Sequence, residues 1–152
     1  MIASPRLLTW ALRFYPPLFF QRIWVIQFYS GFTGVEVIIR KSILNINYNK
    51  SIFGGTIFGA ADPFFAICFY QILKQKGYKT VVWTKSAQIH FIKPTTSSLF
   101  FSIKIDKQEI DKVIKELNNN EKFIKFYPIE IINKQGEICA SLTVEIYIRK
   151  IN

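Results

Sequence analysis

Two glycines and one carboxylate carry the chemistry legible in this chain of 152 residues. Gly54-Gly55 opens an apolar stretch that runs to Leu73, and Asp62 follows seven residues after Gly55. A helix that starts at the glycines offers unpaired backbone N–H groups and a positive dipole end to a carbonyl oxygen or a phosphate. Glycine lets such a ligand come close; equally, it lets a helix start pack tightly against a strand. Seven residues are two helical turns, so Asp62 falls on the same face as Gly55. It is the only acidic residue between Glu36 and Asp106, and a lone carboxylate in apolar surroundings requires an explanation. Two explanations are open. Asp62-Pro63 has the form of an N-cap followed by proline at the first helical position, which would start the helix there. Alternatively, the helix starts near Gly54, Pro63 kinks it, and Asp62 serves a cleft as general base or nucleophile. His90 is the single histidine. Strand alternation puts it on a side with Thr84, Ser86, Gln88 and Ile92, opposite Trp83, Ala87, Ile89 and Phe91, which reads as a solvent-side or interface histidine. Cys68 and Cys139 have no companion at metal or disulfide spacing, so neither a disulfide framework nor a protein-built metal site is expected.

The elements that would position these groups follow from the pattern of the rest. Ser4-Pro5 caps a short lid or collar helix over about 5–15, with Leu7, Leu8, Ala11, Leu12 and Tyr15 on one face, and Pro16-Pro17 stops it. Arg22 to about Asn47 turns to β-branched, alternating residues around Gly31 and Gly34, which predicts a hairpin. The central helix, about 54–76, is apolar on all sides and must be buried; Lys74, Lys76 and Gly77 end it. Four strands of roughly ten residues follow, marked by Val81 to Phe91, Leu99 to Ile105, Phe123 to Ile131 and Leu142 to Ile148. A helix is inserted at 106–120, capped by Asp106, with Ile110, Val113, Ile114 and Leu117 at helical spacing. The sum is an α+β chain, one domain over 1–152, in which about six antiparallel strands wrap a central apolar helix.

Composition bounds the partners. With 50% hydrophobic and 20% charged residues the chain has material for a core, and its longest uncharged run, Ile23 to Val35, is short of a bilayer span. No secretory signal pattern precedes it, which predicts a cytoplasmic protein. The net charge of +10 calls for a partner of opposite sign. No run of five or more Lys or Arg occurs, so a nucleic-acid partner is not expected. Fifteen phenylalanines serve core and subunit contacts first, and the lining of an apolar tunnel second.

Several segments carry a family resemblance. Asn47-Tyr48-Asn49-Lys50-Ser51-Ile52-Phe53-Gly54-Gly55 followed by Ala60-Ala61-Asp62 resembles the signature of hot-dog acyl-CoA thioesterases of the phenylacetate-pathway type. Phe53-Gly54-Gly55, Asp62-Pro63-Phe64, Val82-Trp83-Thr84-Lys85-Ser86-Ala87 and Phe91-Ile92-Lys93-Pro94 together resemble the hot-dog family catalogued as domain of unknown function 4442. The resemblance implies a hot-dog fold, a homodimer that can pair into a tetramer, and acyl thioesters of coenzyme A or acyl carrier protein as substrates, with no cofactor beyond coenzyme A in the substrate. It implies Asp62 as base or nucleophile, the Gly55 N–H as oxyanion donor, Asn47 as an orienting amide, and Thr84 as a hydroxyl contributed from the neighbouring subunit. Gly54, Phe53 and Ser86 become candidates for substrate contact. Phe53 stands where the thioesterase signature has histidine, and a phenyl ring donates no hydrogen bond to a thioester carbonyl. That substitution favours a rival reading, a non-catalytic module that binds acyl groups or lipid.

Overall fold

The structure, a computed structural model, describes residues 3–151. Helix α1 spans Pro5–Arg13, where the Ser4 side chain accepts from the Leu7 amide, and a second short helix, α2, spans Pro16–Phe20. Proline at the first positions of α2 starts a new helix rather than ending structure, because its fixed φ suits that place. Strands β1 (Ile23–Phe28) and β2 (Gly34–Ile39) form the expected hairpin around a 3-10 turn at Ser30–Phe32.

Helix α3 runs unbroken over Gly54–Gln75, and Phe53, not Asp62, stands at its N-cap. The reading of Asp62-Pro63 as a helix start is therefore corrected. Proline inside a helix costs the bond its N–H would make to the Gly59 carbonyl. Burial of Thr56, Ile57, Ala60 and Ala61 on the turns before it offsets that loss.

Strand β3 (Thr80–Phe91) follows, then β4 (Leu99–Lys104), helix α4 (Lys107–Asn120), β5 (Lys122–Ile132) and β6 (Ile138–Lys150). The six strands form one antiparallel sheet in the order β1-β2-β4-β5-β6-β3. β4 has six residues rather than ten and meets β5 at a single pair, Phe100 with Ile132. Inward residues of five strands share one core with α3: Val25, Val37, Phe101, Ile129 and Val144 are all closed to solvent. Helix α3 is long and apolar enough to cross a membrane by length and composition alone, yet most of it lies inside this sheet.

Leu8 and Leu12 of α1 pack against the core, while Leu7 and, beyond the end of the helix, Tyr15 are exposed, contrary to the single apolar face expected over 5–15. α4 docks through Ile110, Val113 and Leu117 beneath its Asp106 cap. A polar cluster fastens it to β5: Tyr127 Oη and Lys125 Nζ both donate to the Glu109 carboxylate. Burial works to raise the Glu109 pKa, but the Lys125 and Tyr127 hydrogen bonds outweigh it and hold the carboxyl below its ordinary value. Burial, then the bond to Glu109, pushes the Tyr127 hydroxyl far up, so it stays protonated.

Candidate active site

The start of α3 is set by the loop that precedes it. Buried Asn45 donates from Nδ2 to the Gln21 and Arg40 carbonyls at 2.8 and 2.9 Å, and its own carbonyl accepts from Phe53 N at 2.7 Å. This residue, missed in the sequence, fixes the main chain one residue before the glycines. The run Asn45-Ile46-Asn47-Tyr48-Asn49, with amides at every second place, is the signal that could have found it. On the other side, Ile52 N donates to both the carbonyl and the hydroxyl oxygen of buried Thr95 at 3.1 Å.

Phe53 O accepts from Thr56 N and Ile57 N, so the amides of Gly54 and Gly55 have no partner among the described residues. These are the free donors at the positive end of a 22-residue helix. Each glycine carries an aromatic ring. A Cβ on Gly55 would lie 2.5 Å from the Phe53 ring, and one on Gly54 would lie 2.9 Å from the Phe91 ring. The glycines thus serve close packing as well as donor exposure. A cavity of about 400 Å³ opens beside Gly54, lined by Asn47, Ser51, Phe91 and Lys93. Another of about 540 Å³ opens beside Gly55, lined by Gln21, Leu44, Asn45 and Phe53.

Asp62 lies on the stripe of α3 that the sheet leaves uncovered, with Gly55, Phe58, Gly59, Ala66 and Tyr70. It is half-buried, and among the described residues no hydrogen bond or ion pair engages its carboxylate. Its main-chain oxygen accepts from Thr84 Oγ1 at 3.0 Å, so Thr84 of the same chain stands beside Asp62. The strand bulges between Thr84 and Ser86, with Lys85 as the extra residue. A bulge turns the side chains beyond it to the other face. Thr84 therefore shares the inward side with Ala87 and Ile89, not with Ser86 and His90 as strict alternation required. Trp83 turns outward and stacks on Tyr147.

Of the residues singled out by sequence, the fold gathers Gly54, Gly55, Phe53 and Asn47 around the start of α3, and Asp62 with Thr84 two turns along it. Asn47 Oδ1 accepts from Asn49 N and Ser51 N, which shapes the loop. Ser86 lies apart, its hydroxyl donating to Glu145 at 2.6 Å on the exposed side of the sheet. His90 is exposed on that side also. Both cysteines are buried and free; burial pushes the Cys68 thiol up to about 12 and raises Cys139 as well, so neither is a ready nucleophile.

Residues 6–148 match the family described as domain of unknown function (DUF4442). The chain belongs to the DUF4442 family. Solved structures share its fold at low identity. A Pseudomonas aeruginosa protein of unknown function, described as a "Probable Thioesterase", superposes with a TM-score of 0.83 at 17% identity over 99% of both chains. A thioesterase from Haemophilus influenzae gives 0.71 at 11% identity, covering 99% of this chain and 93% of that one. The PaaI protein of the E. coli phenylacetic acid degradation operon gives 0.63 at 18%, covering 95% and 94%. No curated protein matches the sequence. This DUF4442 chain therefore has the hot-dog fold, a six-stranded antiparallel sheet around one buried helix, in company with thioesterases.

Proposed function

We propose that the protein binds acyl thioesters of coenzyme A or acyl carrier protein at the start of α3 and hydrolyses them with Asp62 as general base. The observation that carries this reading is the pairing, on the helix stripe that the sheet leaves uncovered, of the free Gly55 amide with an unpartnered carboxylate. The thioester oxygen sits on the Gly55 N–H, where the donor is strongest as negative charge develops in the tetrahedral intermediate. Seven residues of helix place Asp62 about 10.5 Å further along the axis. A direct attack needs reacting atoms about 3–3.5 Å apart, which that span does not allow within one chain. The Asp62 side chain leans back toward the helix start, and one water fills the remaining gap. Asp62 thus acts by taking a proton from that water as its oxygen bonds to the acyl carbon; the carbon–sulfur bond then breaks and the sulfur takes that proton from Asp62, which releases the thiol and the acid and restores the carboxylate.

β3 supplies the reason to expect a second copy. Its outer edge is unpaired among the described residues, it is 12 residues long, and it ends at Phe91 against Gly54. Long bare edges pair with another chain unless something covers them. A twin aligned there continues the sheet and lies beside the site, and a homodimer or a tetramer of such dimers follows. The net charge of +10 suits the phosphates of coenzyme A or an acidic carrier protein, and a cytoplasmic location fits those partners.

Phe53 supports a second reading, an acyl-binding module without turnover, since its ring rests on Gly55 where the signature has a donor. The two readings separate in a panel of acyl-CoAs from acetyl to palmitoyl, with thiol release followed by Ellman's reagent and sedimentation velocity run on the same samples. Thiol release with a dimer supports the hydrolase; acyl-CoA bound but intact supports the module; a monomer that neither binds nor cleaves contradicts both.

A further inference from the structure

We infer that the α1–α2 face docks on an anionic phospholipid bilayer. Leu7, Trp10 and Phe14 stand at i, i+3 and i+7 and are 57%, 54% and 62% exposed; Phe20 on α2 is 64% exposed. This is a second apolar face on α1, opposite the one that Leu8 and Leu12 bury. The rings are continuous: Trp10 lies 6.2 Å from Phe14, Phe14 6.3 Å from Phe19, and Phe19 5.5 Å from Phe20. Along the segment that builds this ridge the charge is of one sign. Arg6, Arg13 and Arg22 precede the first acidic residue of the sequence, Glu36, which is engaged by Gln27 and Tyr29 on the sheet. Arg13 is spent locally, donating to the Val25 and Ile26 carbonyls between the rings of Trp10 and Trp24. Arg6, Arg22 and Arg40 remain exposed, Arg22 over the Phe19 ring at 5.8 Å and Arg40 over the Trp24 ring at 5.1 Å.

Exposed aromatic and aliphatic side chains rimmed by arginine match the interface of a bilayer with an anionic surface. Two other occupants fit less well. A two-fold contact with a second copy would set arginine against arginine across the axis, and the first 35 residues supply no acid to offset them. Single-stranded nucleic acid needs free ring faces for stacking, and here Trp10, Phe14 and Phe19 stack on one another at interplanar angles of 13° and 25°. The face also adjoins the cavity beside Gly55, because Gln21, the residue after Phe20, lines it. The docking itself does not depend on hydrolysis at Asp62.

Flotation with phosphatidylcholine vesicles and with 7:3 phosphatidylcholine:phosphatidylglycerol vesicles tests the inference on the full chain. The protein floats with the anionic vesicles, little floats with the neutral ones, and binding falls as NaCl rises from about 0.05 to 0.5 M. Trp10→Ser/Phe20→Ser abolishes flotation, and Arg6→Gln and Arg22→Gln each weaken it about fivefold. All four side chains are exposed, so circular dichroism and Tm stay those of the wild type, and Asp62→Asn floats as the wild type does. Failure to float with anionic vesicles overturns the inference, as does equal flotation with both. So does a fall in sedimentation mass in Trp10→Ser/Phe20→Ser, which would mean that a second copy covers the face.

Discussion

Replacing Phe53 by histidine tests whether one aromatic ring separates slow turnover from fast. Phe53 is 57% exposed and its ring rests on Gly55 rather than in the core. With less than half of a phenyl side chain buried, on the order of 90 Å² leaves water, worth about 2 kcal/mol at 25 cal/mol per Å². Histidine keeps most of that contact, so Phe53→His costs about 1 kcal/mol, or about 2–4 °C in Tm for a chain of this size. On the chemical side, one oriented donor to a developing oxyanion is worth about 10²–10³ in rate. The new imidazole lacks the hydrogen bonds that would fix its tautomer and rotamer, so the gain falls toward the lower end of that range. The assay is steady-state hydrolysis of the best acyl-CoA of the panel, wild type against Phe53→His, with Phe53→Ala as the control for ring removal. The expected order is His well above the wild type, with Ala close to the wild type. A wild type already near 10 s⁻¹, the usual median for enzymes, or a gain in Ala equal to that in His, would show that the missing donor is not what limits the rate.

Glu109 sets an acid limit on stability. Its folded pKa lies below the ordinary 4.5, so its stabilisation is complete above that value and is lost as pH falls through the folded pKa. Chemical denaturation from pH 7 to pH 3 will show Glu109→Gln less stable than the wild type at neutral pH, with the gap closing below about pH 4.5; a gap independent of pH would refute the assignment. Tyr127→Phe removes one hydrogen bond to that carboxylate while keeping the ring stacked on Phe65 at 4.7 Å. It should cost about 1.5–3 kcal/mol in urea denaturation. Cys68 and Cys139 should give no fast reaction with Ellman's reagent in the native protein and two thiols in denaturant; a rapid native thiol would contradict their burial.

Where local and tertiary signals agree, the fold was legible. Asp106 caps α4 as expected, its Oδ1 accepting from the Glu109 amide, and Ile110, Val113 and Leu117 at helical spacing are the residues that α4 buries. Where they conflict, residue types misled. Asp62-Pro63 has better capping chemistry than Phe53-Gly54, but the turns upstream bury four side chains in the sheet, and that outweighs the missing cap. The bulge at Lys85 leaves no mark in a pattern read by alternation, which puts Ser86 on a side with Thr84 although its hydroxyl faces Glu145. Asn45 was hidden for a related reason: its partners, Gln21, Arg40 and Phe53, meet only once the chain is folded. Gly54, Gly55 and Asp62 were legible because their spacing on one helix is a local property.

Asp62→Asn, measured by single-turnover hydrolysis of the preferred acyl-CoA, tests the proposed general base most directly. Asparagine matches the carboxylate in size and Asp62 caps nothing, so Tm and acyl-CoA binding stay near wild-type values. The account predicts a loss of about 10²–10⁴ in the hydrolytic rate, the usual worth of a positioned base. Unchanged hydrolysis by a folded Asp62→Asn would contradict it.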